Sequence, residues 1–290
     1  MRCCAVLCGD FVQGDMADRA LLDAVLSRGF DAVMHFASLI QVGESVRDPS
    51  LYYQNNVVKT LSLLDAMRAH KVNRFIFSST AATFGEPQYS PIDEGHPQQP
   101  INPYGRSKLM VEQVLADYDR AYGLQSVSLR YFNAAGADPE GQLGERHEPA
   151  THLIPLVLQV ASGRRQHLNV WGRDHDTPDG TCVRDYVHVE DLCSAHWLAL
   201  QSLMNGATSQ AYNLGSGRGV SVQEVIDAAT EVTGRKIDVV DGPKRAGDPA
   251  RLVADAALAR QQLNWQPKFE DLNQIIEHAW HWETRQGLQA

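Results

Sequence analysis

The chain has 290 residues, enough for one large or two modest domains with a substantial core. A formal charge of −9 argues against nucleic acid or an anionic membrane as the main partner, because phosphate surfaces reward basic proteins, while a few local arginines still suit a small anionic ligand. No run is long or apolar enough to span a bilayer and Ala5 to Leu7 is too short for a signal-peptide core; the five cysteines (Cys3, Cys4, Cys8, Cys182, Cys193) have neither zinc nor disulfide-framework spacing, so a reducing cytoplasm and no metal are expected.

In chain order, Phe11 to Asp15 reads as a short strand and turn, and Asp18 to Ser27 as a helix capped by Asp18 or Asp15. Asp31 to Ala37 is nearly continuous apolar, as parallel strands buried on both faces are. A helix spans Pro49 to His70, with proline in its first turn and Leu61 and Leu64 on one face. Then come a strand from Arg74 to Ser79, a helix from Tyr104 to Tyr122 and a strand from Ser126 to Asn133. This alternation predicts an α/β fold with right-handed crossovers and a doubly wound parallel sheet over residues 1–134. Beyond Asn133 a glycine-rich polar stretch (Gly136, Gly141, Gly144) marks a change of texture. Residues 135–290 read as a smaller α+β lobe with segments returning to the first sheet. Its helices are His152 to Ser162, Asp191 to Met204, Ser221 to Thr233, Ala256 to Leu263 and Leu272 to Thr284. Its extended segments are His167 to Trp171, Val183 to Val189, Ala211 to Leu214, Ile237 to Val240 and Leu252 to Ala254. Ser221 and Glu224 stand at capping-box spacing.

The stretch that carries chemistry is Tyr104-Gly105-Arg106-Ser107-Lys108, read together with Ser78-Ser79-Thr80. A tyrosine and a lysine four positions apart share one helix face. Bringing a phenol from its usual pH of about 10 to neutrality takes about 4 kcal/mol, and an ammonium about 4 Å away at an effective dielectric of about 20 supplies about that much. Lys108 is therefore expected to make Tyr104 a base. A Ser/Thr hydroxyl at the C-terminal end of a strand, where open parallel sheets place ligands, would orient a substrate hydroxyl. The Tyr-x-x-x-Lys spacing also occurs on ordinary amphipathic helices, but here it follows an apolar strand ending in Ser-Ser-Thr and a loop with Pro87, Pro91, Pro97, Pro100 and Pro103. That ordered set resembles the extended short-chain dehydrogenase/reductase family.

From about Phe11 to Arg285 the order of motifs is similar to that of the UDP-glucose (UDP-galactose) 4-epimerases. The likeness rests on Asp31 to Ala37 with Val42-Gly43-Glu44-Ser45-Val46, on Tyr52-Tyr53-Gln54-Asn55-Asn56, and on Phe77-Ser78-Ser79-Thr80. It continues through Tyr104 to Glu112, Leu129-Arg130-Tyr131-Phe132-Asn133, Asp179-Gly180-Thr181, Val183 to Val189, Arg245-Ala246-Gly247-Asp248 and Leu263-Asn264-Trp265. The resemblance implies a Rossmann-like domain that binds NAD and a lobe that holds a UDP-hexose. It implies a cofactor set of Asp15 and Met16 at the adenosine end, then Phe36, Ala37, Leu39, Asn55, Ser78 and Phe132, with Tyr104 and Lys108. It implies that Thr80, Tyr104 and Lys108 are catalytic, and that Thr80, Asn133, Leu153, Trp171, Arg184, Arg245, Asp248 and Leu252 meet the substrate. The implied reaction oxidises C4 of the hexose transiently and returns hydride to the other face of the 4-keto sugar. The implied assembly is a homodimer through helices 49–70 and 104–122.

Several of these residues keep a second reading. Asn55 also suits a helix cap, Phe132 and Trp171 suit a core, and Arg184 with Asp185 suits an internal ion pair. His35, His152 and His188 read as structural, because the tyrosine fills the base role. Ile40 stands where many relatives carry lysine, and Leu252 where side-chain size is thought to gate N-acetylated sugars. Ala81-Ala82 follows Thr80 where 4,6-dehydratases carry an Asp-Glu pair, so dehydration lacks its acid. A UDP-N-acetylhexosamine 4-epimerase or a related keto-sugar enzyme, and a non-catalytic truncated remnant, are the competing functions. No glycine-rich phosphate loop precedes Asp15. By resemblance the chain is expected to start near the third strand, to leave an apolar sheet edge beside Asp31 to Ala37, and to bind NAD feebly without an upstream extension.

Overall fold

A computed structural model describes residues 9–245 and 248–287. The first helix, α1 (Arg19–Leu26), is capped by Asp18, whose carboxylate accepts from Leu21 N. It leads to strand β1 (Val33–His35), then α2 (Val42–Arg47). The predicted helix from residue 49 is observed as α3 (Pro49–Tyr53), a π-wound turn (Gln54–Val58) and α4 (Lys59–Ala69) in unbroken succession. Strand β2 (Arg74–Thr80) ends in a 3₁₀ turn (Ala81–Thr83). Helix α5 (Pro103–Tyr122) begins with Asn102 as cap and Pro103 in its first turn, and stops at Gly123, whose φ of 68° suits glycine.

Strand β3 (Gln125–Tyr131) is followed directly by β4 (Asn133–Ala135). The second half contains α6 (Leu153–Ala161), β5 (Leu168–Trp171), β6 (Val183–His188), α7 (Val189–Met204), β7 (Gln210–Leu214) and β8 (Gly219–Ser221). It closes with α8 (Val222–Thr233), β9 (Val239–Gly242), β10 (Arg251–Leu252), α9 (Ala257–Gln262) and α10 (Leu272–Gly287). The capping box at Ser221 and Glu224 is present in both directions. Among the described residues no helix is long and apolar enough to cross a membrane.

The main sheet is parallel throughout, in the order β1-β2-β3-β7. Phe75 and Phe77 of β2 pack with Leu63, Leu64, Met67, Val111 and Leu115 from α4 and α5. Ile76, between them, packs with Leu192, Ala195, Ala199 and Leu203 of α7. Period-two alternation thus buries both faces of β2, which is why its sequence is apolar without a polar stripe. The chain leaves this sheet at Phe132, since β3 ends at Tyr131 and Asn133 already pairs with Tyr186 in a second sheet of order β10-β6-β4, with β8 antiparallel to β6. The single strand expected from Ser126 to Asn133 is therefore two strands in two sheets. β7, α7 and α9 return to the first sheet.

Phe11 to Asp15, expected as a strand, is not one. Backbone in that stretch has no strand neighbour among the described residues, and an apolar run becomes a strand only when its N–H and C=O groups find a ladder. For the same reason β1 keeps only three residues of the seven expected, and it is the edge of its sheet among the described residues.

Candidate active site

The C-terminal ends of β2 and β3 and the first turns of α5 form the site. Asn102 Oδ1 accepts from Gly105 N at 2.8 Å and so starts the helix one residue before Tyr104. Gly105 is required by close approach: a Cβ there would sit 2.3 Å from Ala82 O. That approach sets the Tyr104 phenol beside the Thr80 hydroxyl. Tyr52, fully buried and held by Gln41 O at 2.7 Å and Glu44 Oε2 at 2.9 Å, meets the Tyr104 ring edge-on at 6.5 Å.

Lys108 is 1% exposed. Its Nζ donates to Ser38 Oγ at 2.9 Å and to Ser78 O at 2.8 Å, and stands 4.8 Å from the centre of the Phe77 ring. Burial pushes the ammonium down to about 7, against which the Glu112 carboxylate raises it. Burial pushes Tyr104 up to about 12; the Thr80 hydroxyl lowers it and Tyr131 raises it. The expectation that Lys108 brings Tyr104 to neutrality is corrected here. Its ammonium is directed to Ser38 and Ser78, and desolvation of the phenolate is the larger effect. Ser78 Oγ in turn shares a very short hydrogen bond with the Tyr131 hydroxyl.

Beside β1, Asn56 holds the loop that bears Phe36, Ala37 and Leu39. Its Oδ1 accepts from Leu39 N at 2.9 Å, and its Nδ2 donates to Leu39 O at 3.0 Å and Ser107 Oγ at 3.1 Å. The π turn that presents Asn56 is a common device at functional sites. Asn55 lies inside that turn and donates to Asn56 Oδ1, so it is not a helix cap. Phe36 is 57% exposed and its ring lies 4.8 Å from that of His196. Asp15 and Met16 lie with α1 and α4: Asp15 pairs with Lys59 Nζ at 2.6 Å, and Met16 packs on the apolar cluster of α4 and α5.

A second group lies around β6. Asn133 Nδ2 donates to Asp185 O at 3.0 Å. Arg184 pairs with Asp248 and donates to Val183 O and Pro249 O, both at 2.8 Å. The alternative pairing with Asp185 is not made, because that carboxylate is filled by Ser216 N, Gly217 N and Ala254 N. Arg245 stacks on Trp171, its guanidinium carbon 4.8 Å from the ring centre. Leu153 opens α6, and Phe132 packs with Leu252 against Phe84 and Ile92.

The three histidines are structural in their contacts: His35 meets Thr60 Oγ1 at 2.8 Å, His188 meets His278 at 3.0 Å, and His152 meets Glu145 at 2.8 Å. Ser38, Asn56 and Tyr131 join the site without having been foreseen. Asn56 and Tyr131 lie within motifs that carry the resemblance, and Ser38 has no such signal. Cys3, Cys4 and Cys8 lie outside the described residues.

The family model described as GDP-mannose 4,6 dehydratase matches residues 8–278. A UDP-glucose 4-epimerase of Rhizobium leguminosarum bv. trifolii is 53% identical over 278 residues, covering 96% of this chain and 85% of the relative. The chain belongs to the UDP-glucose 4-epimerase family. Two solved members give the same fold. The enzyme of Brucella ovis, in complex with NAD, has a TM-score of 0.93 at 51% identity, with 96% of this chain and 86% of that one covered. The enzyme of Bifidobacterium longum, in complex with NAD+ and UDP, has a TM-score of 0.89 at 41% identity, with 95% and 83% covered.

For an epimerase of this family, the fit of NAD is uneven across the described residues. The nicotinamide side fits: a buried ammonium, a phenol, the Ser38 and Ser78 hydroxyls and an exposed Phe36 converge beside the strand ends. The pyrophosphate side does not. No glycine-rich turn opens a helix among the described residues, and at the start of α1 the N–H groups of Ala17 and Leu21 are taken by the Asp15 and Asp18 carboxylates, whose negative charge repels phosphate.

Proposed function

We propose that this chain interconverts UDP-glucose and UDP-galactose by inverting C4, with NAD as cofactor. The observation that carries this reading is the Tyr104 phenol beside the Thr80 hydroxyl, with the buried Lys108 side chain tied to the same strand end at Ser78. Tyr104 takes the proton of the sugar 4-hydroxyl, directly or through Thr80, and returns it when the C4 oxygen is restored. Held beside Tyr104 and Lys108, NAD would supply the hydride chemistry at C4. No net redox follows. Burial holds the phenol in its neutral form, so the base form has to be drawn out by cationic charge, of which Lys108 is the protein's own source.

Asn133, Leu153, Trp171, Arg184, Arg245, Asp248 and Leu252 are the proposed UDP-sugar contacts. Planar guanidinium forks suit a diphosphate, and a firm hold on the UDP handle keeps the keto sugar from escaping while it turns. Asp15, Met16, Phe36, Ala37, Leu39, Asn55, Ser78 and Phe132 are the proposed cofactor contacts. Ala81 and Ala82, in the turn after Thr80, offer no acid for dehydration. We further propose a homodimer through the helices of residues 49–70 and 104–122, whose exposed Leu51, Val58 and Met110 offer apolar contact, and a reducing cytoplasm as its compartment.

One preparation tests the function. Denatured protein is assayed for released NAD, and native protein for turnover of UDP-galactose and of UDP-N-acetylgalactosamine. NAD release with UDP-galactose turnover is expected. Turnover of the N-acetylated sugar alone would transfer the assignment to that class, and absence of both NAD and turnover would make the chain a non-catalytic member of the family.

A further inference from the structure

Glu112 stands on α5 one turn beyond Lys108 and two turns beyond Tyr104, on the same side of the helix. Its side chain is 9% exposed, and its carboxylate gathers donors from three places. Ser79 Oγ of β2 donates to Oε1, and Gln98 Nε2, from the loop before α5, donates to Oε2 at 3.2 Å. Arg130 of β3 donates from Nε to Oε1 at 3.0 Å and from Nη2 to Oε2 at 2.6 Å, with its guanidinium 5.5 Å from the centre of the Phe84 ring. The proton transfer described above uses none of these groups. Yet Ser79 lies between Ser78, whose carbonyl accepts from Lys108, and Thr80, whose hydroxyl lies beside Tyr104. Holding Ser79 to α5 therefore sets both catalytic contacts at once. An apolar pair of similar volume would join helix and sheet at least as firmly, since a buried ion pair repays its desolvation poorly. The retained charge has a use one turn away, at a buried ammonium.

We propose that Glu112 is a positioning residue whose carboxylate clamps the Ser78–Thr80 end of β2 onto α5 and so sets the carbonyl that holds Lys108. The titratable groups facing Lys108 are Glu112 and Tyr104 from α5, His35 from β1, and Tyr131 from β3 by way of Ser78, with Arg130 behind Glu112. From β2 come only the Phe77 ring and the Ser78 carbonyl, and from the loop after β1 the Ser38 hydroxyl. Burial and the Lys108 cation push His35 down to about 4, so it is neutral at neutral pH. Glu112 is the group that raises Lys108.

The bearing on epimerisation rests on the function proposed above, but the test is independent of turnover. Lysines are labelled with ¹³C at Cε and titrated by NMR; there are six, and the Lys108 signal is the one lost in Lys108→Arg. Glu112→Gln is expected to weaken proton binding at Lys108 about tenfold, which is about one unit in its midpoint. Glu112→Asp, which keeps the charge, is expected to restore most of that loss. Glu112→Gln with Arg130→Gln leaves no buried charge unpaired and serves if the single variant does not fold; its midpoint is expected to stay below wild type. A wild-type midpoint in either folded protein without the carboxylate overturns the proposal. Should UDP-galactose turnover be absent from every protein, the function proposed above fails while the titration still decides the role of Glu112.

Discussion

A phenol held up to about 12 by burial has to give and take a proton at neutral pH, so the ring and the hydroxyl of Tyr104 can be tested apart. Tyr104→Phe keeps the edge-on contact with Tyr52 and removes only the oxygen. Turnover of UDP-galactose is expected to fall about 10²–10⁴-fold with the melting temperature near wild type, since a positioned acid or base contributes on that order. Wild-type turnover would remove Tyr104 from the mechanism. Lys108 gives a pH signature in stability. Its folded value of about 7 lies below the 10.5 of free lysine, so between those values the unfolded chain holds one more proton than the folded one. Stability therefore rises with pH across that window, and the cost of burying the charge is complete below it. In Lys108→Met this dependence disappears. Thermal melts at about pH 6.5 and about pH 9.5 should show the variant gaining less than wild type at the higher pH. Parallel behaviour would mean that Lys108 is solvated.

At the scale of elements, the two arginines near β6 are held differently and should fail differently. Arg184 is tied to Asp248 and to the carbonyls of Val183 and Pro249, so it joins β6 to the segment before β10. Arg245 has its ring partner Trp171 across the end of β5. Arg184→Ala is expected to lower the melting temperature as well as UDP affinity, because charge-assisted hydrogen bonds are worth about 1.5–3 kcal/mol. Arg245→Ala is expected to weaken UDP binding with little change in melting, a stacked cation at a partly open site being worth about 0.5–1 kcal/mol. Calorimetric titration with UDP and thermal melts of both variants check this. Unaltered UDP affinity in both would place the diphosphate elsewhere.

For the molecule as a whole, the side of β1 that has no neighbour among the described residues is the feature with consequences. Met34 on β1 and Phe36 just beyond it are exposed, as is Phe11. A strand edge with unpaired backbone groups and apolar side chains is a template for another chain. Met34→Lys is expected to raise the temperature at which light scattering begins, since a lysine on an edge blocks pairing. Identical scattering in the two proteins would assign self-association to another surface.

The sequence by itself determined what neighbours within a few residues decide. The alternation through Phe75, Ile76 and Phe77, the caps at Asp18 and Ser221, and the Tyr104 to Lys108 spacing on one helix face are all local, and each is found where expected. Tertiary structure decided everything that depends on a distant partner or on solvent exclusion. Arg184 pairs with Asp248 and not with adjacent Asp185, because backbone N–H groups from two loops reach the latter first. Phe11 to Asp15 forms no strand, because a ladder needs a neighbour. The Lys108 ammonium turns to Ser38 and Ser78, and Tyr104 is raised where the bare spacing argued for lowering. Spacing along a helix fixes which side chains share a face, but only the packed surroundings set how much water they lose, and at this site desolvation outweighs the attraction of the paired charge.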